Sequence, residues 1–210
     1  MVALHRVLVV VAILLLSALC VALFRHGKAR YCISFAAYAA FVLTANVLIL
    51  LFPQHYSPEV YMVKQGIYDS LLFGMALELS VRTFSAFTGV ARFVRMLLAL
   101  AVTTSTTVIF LYTPVNSGYE TYLQFQPGIT TAGVWCLSFV GLLIVWYQIP
   151  VPTLTRAIIL GFAPYLVVFT IYIDFITRLG WGAIQHLNLL NAFSYDVVAA
   201  YWAYAAWRRD

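Results

Sequence analysis

Residues 7–24 read VLVVVAILLLSALCVALF, eighteen residues without a charge, a glycine or a proline. At 1.5 Å rise per residue such a helix is roughly 27 Å long, close to the ~30 Å hydrocarbon core of a bilayer. Arg6 bounds the run on one side, and Arg25, Lys28 and Arg30 follow it on the other. The stretch resembles a signal peptide, and we read it as a first membrane span, 6–24.

The same composition extends along the whole chain. Hydrophobic residues make up 64% and charged residues 9%, with a mean hydropathy of +0.94. A soluble domain carries about a quarter charged residues, so this chain has too few to cover a water-facing surface. Further spans are predicted at 32–52, 61–83, 94–112, 129–149, 157–177 and 189–207. Breakers fall between them: Pro53 and Pro58, Gly89, Pro114 and Gly118, Pro127 and Gly128, Pro150 and Pro152, Gly180 and Gly182. Pro164 lies inside the sixth span, where a kink is expected. The expected fold class is all-α, a seven-transmembrane-helix bundle formed by 1–210 as a single transmembrane domain. No loop is long enough for a domain outside the membrane, so any site must lie in the bundle or at its rims.

Basic residues orient the bundle. Arg25, Lys28, Arg30, Arg82, Arg92, Arg95, Arg156, Arg208 and Arg209 fall on one side, against Arg6, Lys64 and Arg178 on the other. The expectation is an N-terminus outside and a C-terminus in the cytoplasm. Tyr56, Tyr112, Trp146, Tyr147, Trp181 and Trp207 sit at span ends, as interface aromatics do. Spans one to three and five to seven show no convincing repeat of the kind that builds seven-span sugar transporters.

Ionisable groups inside a bilayer are costly and face the bundle interior or water. Orientation places Lys64, Gln65, Asp69, Asp174 and Asp196 in the outer half, with Asn46, Thr106 and Thr107 at the same level. These residues predict a ligand-binding or proton-binding pocket open to the outside. The competing expectation is a set of internal salt bridges, such as Lys64 with Asp196 or Asp174, that fixes helix registration. Glu78 and Arg82 share a helix face near the inner end and are expected to pair, with a proton-binding Glu78 as the alternative. Asp174 and Arg178 are expected to form a rim pair. The hydroxyl run Thr103, Thr104, Ser105, Thr106, Thr107 either bonds to backbone or lines a polar path.

Several chemistries are set aside. His5, His26, His55 and His186 lie at rims or in loops, so a buried bis-histidine haem is not expected. No cofactor is expected, and neither a metal nor a catalytic residue, because no Glu-x-x-His or related spacing occurs. The seventh span has no lysine for a retinal Schiff base. No serine nucleophile motif and no glycine-rich phosphate loop is present. Cys20, Cys32 and Cys136 are isolated and read as small core residues.

Arg30-Tyr31 with Phe35 and Tyr38, Tyr56 with Tyr61, and Glu78-Leu79 with Arg82 and Phe84 carry a resemblance over about the first half of the chain. They resemble small seven-span bacterial membrane proteins of a type common in acidobacteria, a group without an assigned activity. The resemblance implies a multi-pass protein of the bacterial cytoplasmic (inner) membrane. Within that frame the expected function is a non-enzymatic binding or sensor module, or a subunit of a membrane assembly. The alternative is a small-solute or proton-coupled transporter. Expected partners are the lipid bilayer, a membrane-protein partner or second copy, and a small molecule, with no nucleic acid.

Overall fold

The computed structural model describes residues 2–83, 96, 118–179 and 185–208. Six long helices are among them: α1 (Val2–Arg25), α2 (Ile33–Leu51), α3 (Pro58–Thr83), α4 (Gly118–Trp146), α5 (Thr153–Leu179) and α6 (Gln185–Trp207). Short 3-10 turns at Lys28–Tyr31 and Pro53–His55 join the first three. The fold is all-α. The expected spans at 6–24, 32–52, 61–83, 129–149, 157–177 and 189–207 each overlap one of these helices. Apart from Met96, the span expected at 94–112 lies outside the described residues, as do its run of hydroxyls from Thr103 to Thr107 and the side chain of Arg178.

Four helices contain stretches long and apolar enough to cross a membrane: Leu4–Arg25, Ile33–Leu51, Gly128–Trp146 and Thr153–Phe175. They suggest a multi-pass membrane protein. α3 and α6 have comparable length, at 26 and 23 residues. What sets them apart is polarity: Lys64, Gln65 and Asp69 on α3, and Asn188, Asn191 and Asp196 on α6. The same two helices supply most of the polar lining of the site below.

Two helix boundaries differ from expectation for physical reasons. Pro58 is the first residue of α3, a position whose N–H has no helical partner anyway. Pro127 and Gly128 do not break the chain, and α4 runs through them from Gly118. Proline is tolerated within such helices because neighbouring groups take up the freed backbone. By contrast, Gly27 does end a helix, adopting φ +62° just after α1, a left-handed conformation that costs glycine nothing.

The six helices pack in a closed ring in chain order, with α6 returning to α1. Neighbours give their directions. Tyr61 meets Gln126 and Leu72 meets Gly133, so α3 and α4 run parallel. Gly141 faces Ile159 while Gly133 faces Leu166, so α4 and α5 run antiparallel. As a result α1, α3, α4 and α6 begin at one end of the ring, where α2 and α5 finish.

Toward the end where α2 and α5 begin, the ring is filled by aromatic side chains. Phe35, Phe162 and Trp202 are fully buried, and Tyr38 nearly so. Phe162 and Trp202 lie 4.5 Å apart between ring centroids, Tyr38 and Phe162 5.1 Å, and Phe35 and Trp202 5.3 Å. The last two pairs meet edge to face, the arrangement the ring quadrupoles favour. The Trp202 indole N–H donates to the Ala157 carbonyl at 3.1 Å. Gly161 makes this possible: a Cβ there would stand 2.5 Å from Trp202 Nε1.

Candidate functional site

Above this aromatic floor lies a cavity of about 370 Å³, at the end of the ring where α1 begins. Small-molecule sites range over about 300–1,000 Å³. All six helices contribute to its wall. Five of the residues singled out in the sequence line it together: Asn46 from α2, Lys64, Gln65 and Asp69 from α3, and Asp196 from α6. Asp174 does not line it and is half-buried beside the small cluster of Tyr172 and Ile173.

Lys64 shows how the wall is made. Its Nζ donates to the Tyr56 hydroxyl at 2.7 Å. The same ammonium lies 4.9 Å from the ring centroid of Tyr56, at the hydroxyl edge, 5.4 Å from that of Tyr61 and 5.7 Å from that of Tyr68. Ring faces attract a cation at such distances. The spacing explains the assembly: Tyr61, Lys64 and Tyr68 recur at three and four residues and so share one helix face. Tyr61 is held in turn by Gln126 of α4, which exchanges hydrogen bonds with its hydroxyl at 2.9 and 3.1 Å.

This arrangement corrects an expectation. Among the described residues Lys64 forms no ion pair with Asp69, Asp174 or Asp196. The Tyr56 hydroxyl and the rings of Tyr61 and Tyr68 hold the ammonium, so Lys64 does not staple α3 to α6. Asp69 accepts from Gln65 Nε2 at 3.5 Å, one helical turn away. Asp196 is only 6% exposed, and its Oδ2 has no hydrogen-bond partner. Asn191 Oδ1, the Tyr195 hydroxyl and His5 Nδ1 are buried and unpartnered in the same way. All four residues line the one cavity. The hydroxyls of Tyr38 and Tyr195 are neighbours without meeting hydrogen-bond geometry. Buried polar groups in folded proteins are almost always bonded, to protein or to water, so these four atoms around one space are positions for water or a bound molecule to meet.

Sequence reading missed the aromatic share of this wall. Seven of the chain's fourteen tyrosines line the cavity. The signal was present as tyrosines two turns apart, Tyr61 with Tyr68 on α3 and Tyr165 with Tyr172 on α5. His5, set aside above only as a haem ligand, and Asn191 also belong to the wall.

Glu78 and Arg82 lie at the opposite end of the ring. Arg82 Nη2 pairs with Glu78 Oε1 at 2.7 Å, and Arg82 also donates to the Arg30 carbonyl. Glu78 has a second role. Its two carboxylate oxygens accept the backbone N–H groups of Ile33 and Ser34, each at 2.8 Å. These are the first two N–H groups of α2, which has no side-chain cap of its own at Cys32. The positive end of the α2 dipole is thus neutralised from a neighbouring helix. Lys28 does the converse for α6. Buried to 6% exposure, its Nζ donates to the carbonyls of Ala205 and Arg208 at the helix C-terminus.

No protein-family model matches this chain, and neither the curated proteins nor the solved structures offer a match.

Proposed function

We propose that this chain is a non-enzymatic, seven-span binding protein of the bacterial inner membrane. It acts as a sensor or as the ligand-holding subunit of a membrane assembly, with its cavity facing outward. The observation that carries the reading is the cavity itself: a largely apolar, aromatic space with four unpartnered buried polar atoms in its wall, floored by Tyr38 and Phe162, which pack on Phe35 and Trp202. A transporter would need the polar path to continue past that floor, and Glu78 beyond it is committed to the start of α2. Binding therefore fits better than transport.

The seven-span count draws support from helix direction. α3 finishes at the end away from the cavity and α4 begins at the cavity end, the directions that a seven-span order requires. The chain's first and last helices also begin together, which leaves the two termini at opposite ends. Basic residues are concentrated at the end away from the cavity, which favours an outward-facing mouth.

Native mass spectrometry of protein released from its own membrane tests the reading. The expected spectrum carries an added small-molecule mass, and Ala192→Trp, which fills the cavity from α6, removes it. Spectra without an added mass for either protein would count against a binding role.

A further inference from the structure

The unpartnered atoms also say what kind of molecule the cavity takes, if the binding reading above holds, on which this step rests. Asp196 Oδ2 and Asn191 Oδ1 are both acceptors. The Tyr195 hydroxyl and His5 Nδ1 can be met by either a donor or an acceptor. A molecule that satisfies all four must bring N–H or O–H donors, and at least one must reach the carboxylate of Asp196, a residue only 6% exposed.

Charge narrows the choice. The cavity wall carries two carboxylates, Asp69 and Asp196, against one ammonium, Lys64. That ammonium already donates to the Tyr56 hydroxyl and lies against the rings of Tyr61 and Tyr68, whereas Asp196 Oδ2 has no partner. A second anion beside Asp196 would add to an uncompensated buried charge, whereas a cation supplies its missing partner. Tyrosine and phenylalanine faces around the space favour a cation too.

Ligand type and size favour an organic ion over a bare metal ion. Among the described residues no three His, Cys, Asp or Glu side chains gather to hold one. The 370 Å³ of space equals about a dozen waters at ~30 Å³ each, enough for an organic body of about ten non-hydrogen atoms. The aromatic lining gives such a body an apolar surface to pack on.

We propose that the cavity binds an organic ammonium ion, a primary amine with a small apolar or aromatic body. Its N–H groups are met by Asp196 and Asn191, and its charge by Asp196 and the surrounding tyrosine faces. The N–H requirement separates this class from quaternary ammonium ions, which offer the two acceptors nothing.

The test uses the full chain in lipid nanodiscs, with empty nanodiscs as the reference, and isothermal titration calorimetry. The probes are 2-phenylethylamine, its neutral counterpart 2-phenylethanol, and the anion phenylacetate. The amine is expected to bind saturably, and the other two at least about tenfold more weakly. Asp196→Asn, which keeps the shape and removes the charge, should weaken the amine by about tenfold or more. Asn191→Ala provides a second variant with the same expected direction, and Ala192→Trp should abolish binding. If the alcohol or phenylacetate binds as well as the amine and Ala192→Trp abolishes it, the ammonium assignment falls while the binding cavity stands. If no probe binds, both fall. Amine binding that survives all three substitutions would place it outside the cavity and overturn the proposal.

Discussion

Replacing Glu78 separates its two contacts. The carboxylate accepts two N–H groups at the start of α2 and pairs with Arg82. Hydrogen bonds to a charged group contribute about 1.5–3 kcal/mol each, while a lost helix cap costs about 0.5–2 kcal/mol. For a partly exposed pair of bonds that share one cap, Glu78→Ala should cost about 2–4 kcal/mol. Glu78→Gln keeps one oxygen for one N–H and loses the charge, so about 1–2 kcal/mol is expected. The ion pair contributes less, about 0–1 kcal/mol, because the Arg82 side chain is 44% exposed. Arg82→Gln alone should therefore be mild, and the coupling energy between Glu78→Gln and Arg82→Gln should stay below about 1 kcal/mol. Reversible unfolding by SDS titration in mixed micelles gives all four values of the double-mutant cycle. A coupling above about 2 kcal/mol, with Glu78→Gln harmless once Arg82 is gone, would refute the reasoning. It would mean that the ion pair, and not the end of α2, is what Glu78 secures.

Three further outcomes are expected. Gly161→Ala drives a Cβ into the Trp202 ring, which is fully buried and bonded to Ala157; overpacking of this kind costs about 1–3 kcal/mol, so a clear fall in melting temperature and a change in tryptophan fluorescence should follow, and an unchanged melt would contradict the packing. Lys28→Met keeps the apolar stem and removes the donor to Ala205 and Arg208, so amide hydrogen exchange at 203–208 should speed up while exchange in α4 stays as it was; equal protection in both proteins would remove Lys28 as the cap. Reporter fusions at Asp210 should read cytoplasmic and those within 116–126 should read external, and the reverse pattern would invert the proposed orientation of the cavity.

The gathering of Asn46, Lys64, Gln65, Asp69 and Asp196 around one space was legible in sequence because lipid forbids the alternative. Once their helices are placed, side chains this polar must turn inward. The same logic ran out at the level of partners. It offered Lys64 an aspartate, whereas the structure gives it Tyr56, Tyr61 and Tyr68. Opposite charge is easy to see along a chain, and a hydroxyl and two rings converging from a turn and a helix are not. The Glu78–Arg82 pair was readable at four residues' spacing. The reach of Glu78 to Ile33 and Ser34 was not, because it joins residues 44 and 45 apart across two antiparallel helices. Helix ends suffered likewise, since Pro127 breaks a helix in isolation but lies within α4 when neighbours support it.

Lys28 serves at two different times. Its carbonyl partners stand 177 and 180 residues further along the chain. At a synthesis rate of about 5–20 residues per second, roughly 10–35 s separate its emergence from that of α6. During that interval Lys28 has no helix end to cap and is an open cation behind the first apolar run. In the orientation proposed above, a cation at that place holds its end of the nascent chain on the cytoplasmic side. Only when α6 arrives does the same charge leave solvent and close the bundle. A substitution here should thus register twice: once as a fraction of chains inserted upside down, and again as a loosened last helix in the chains that insert correctly.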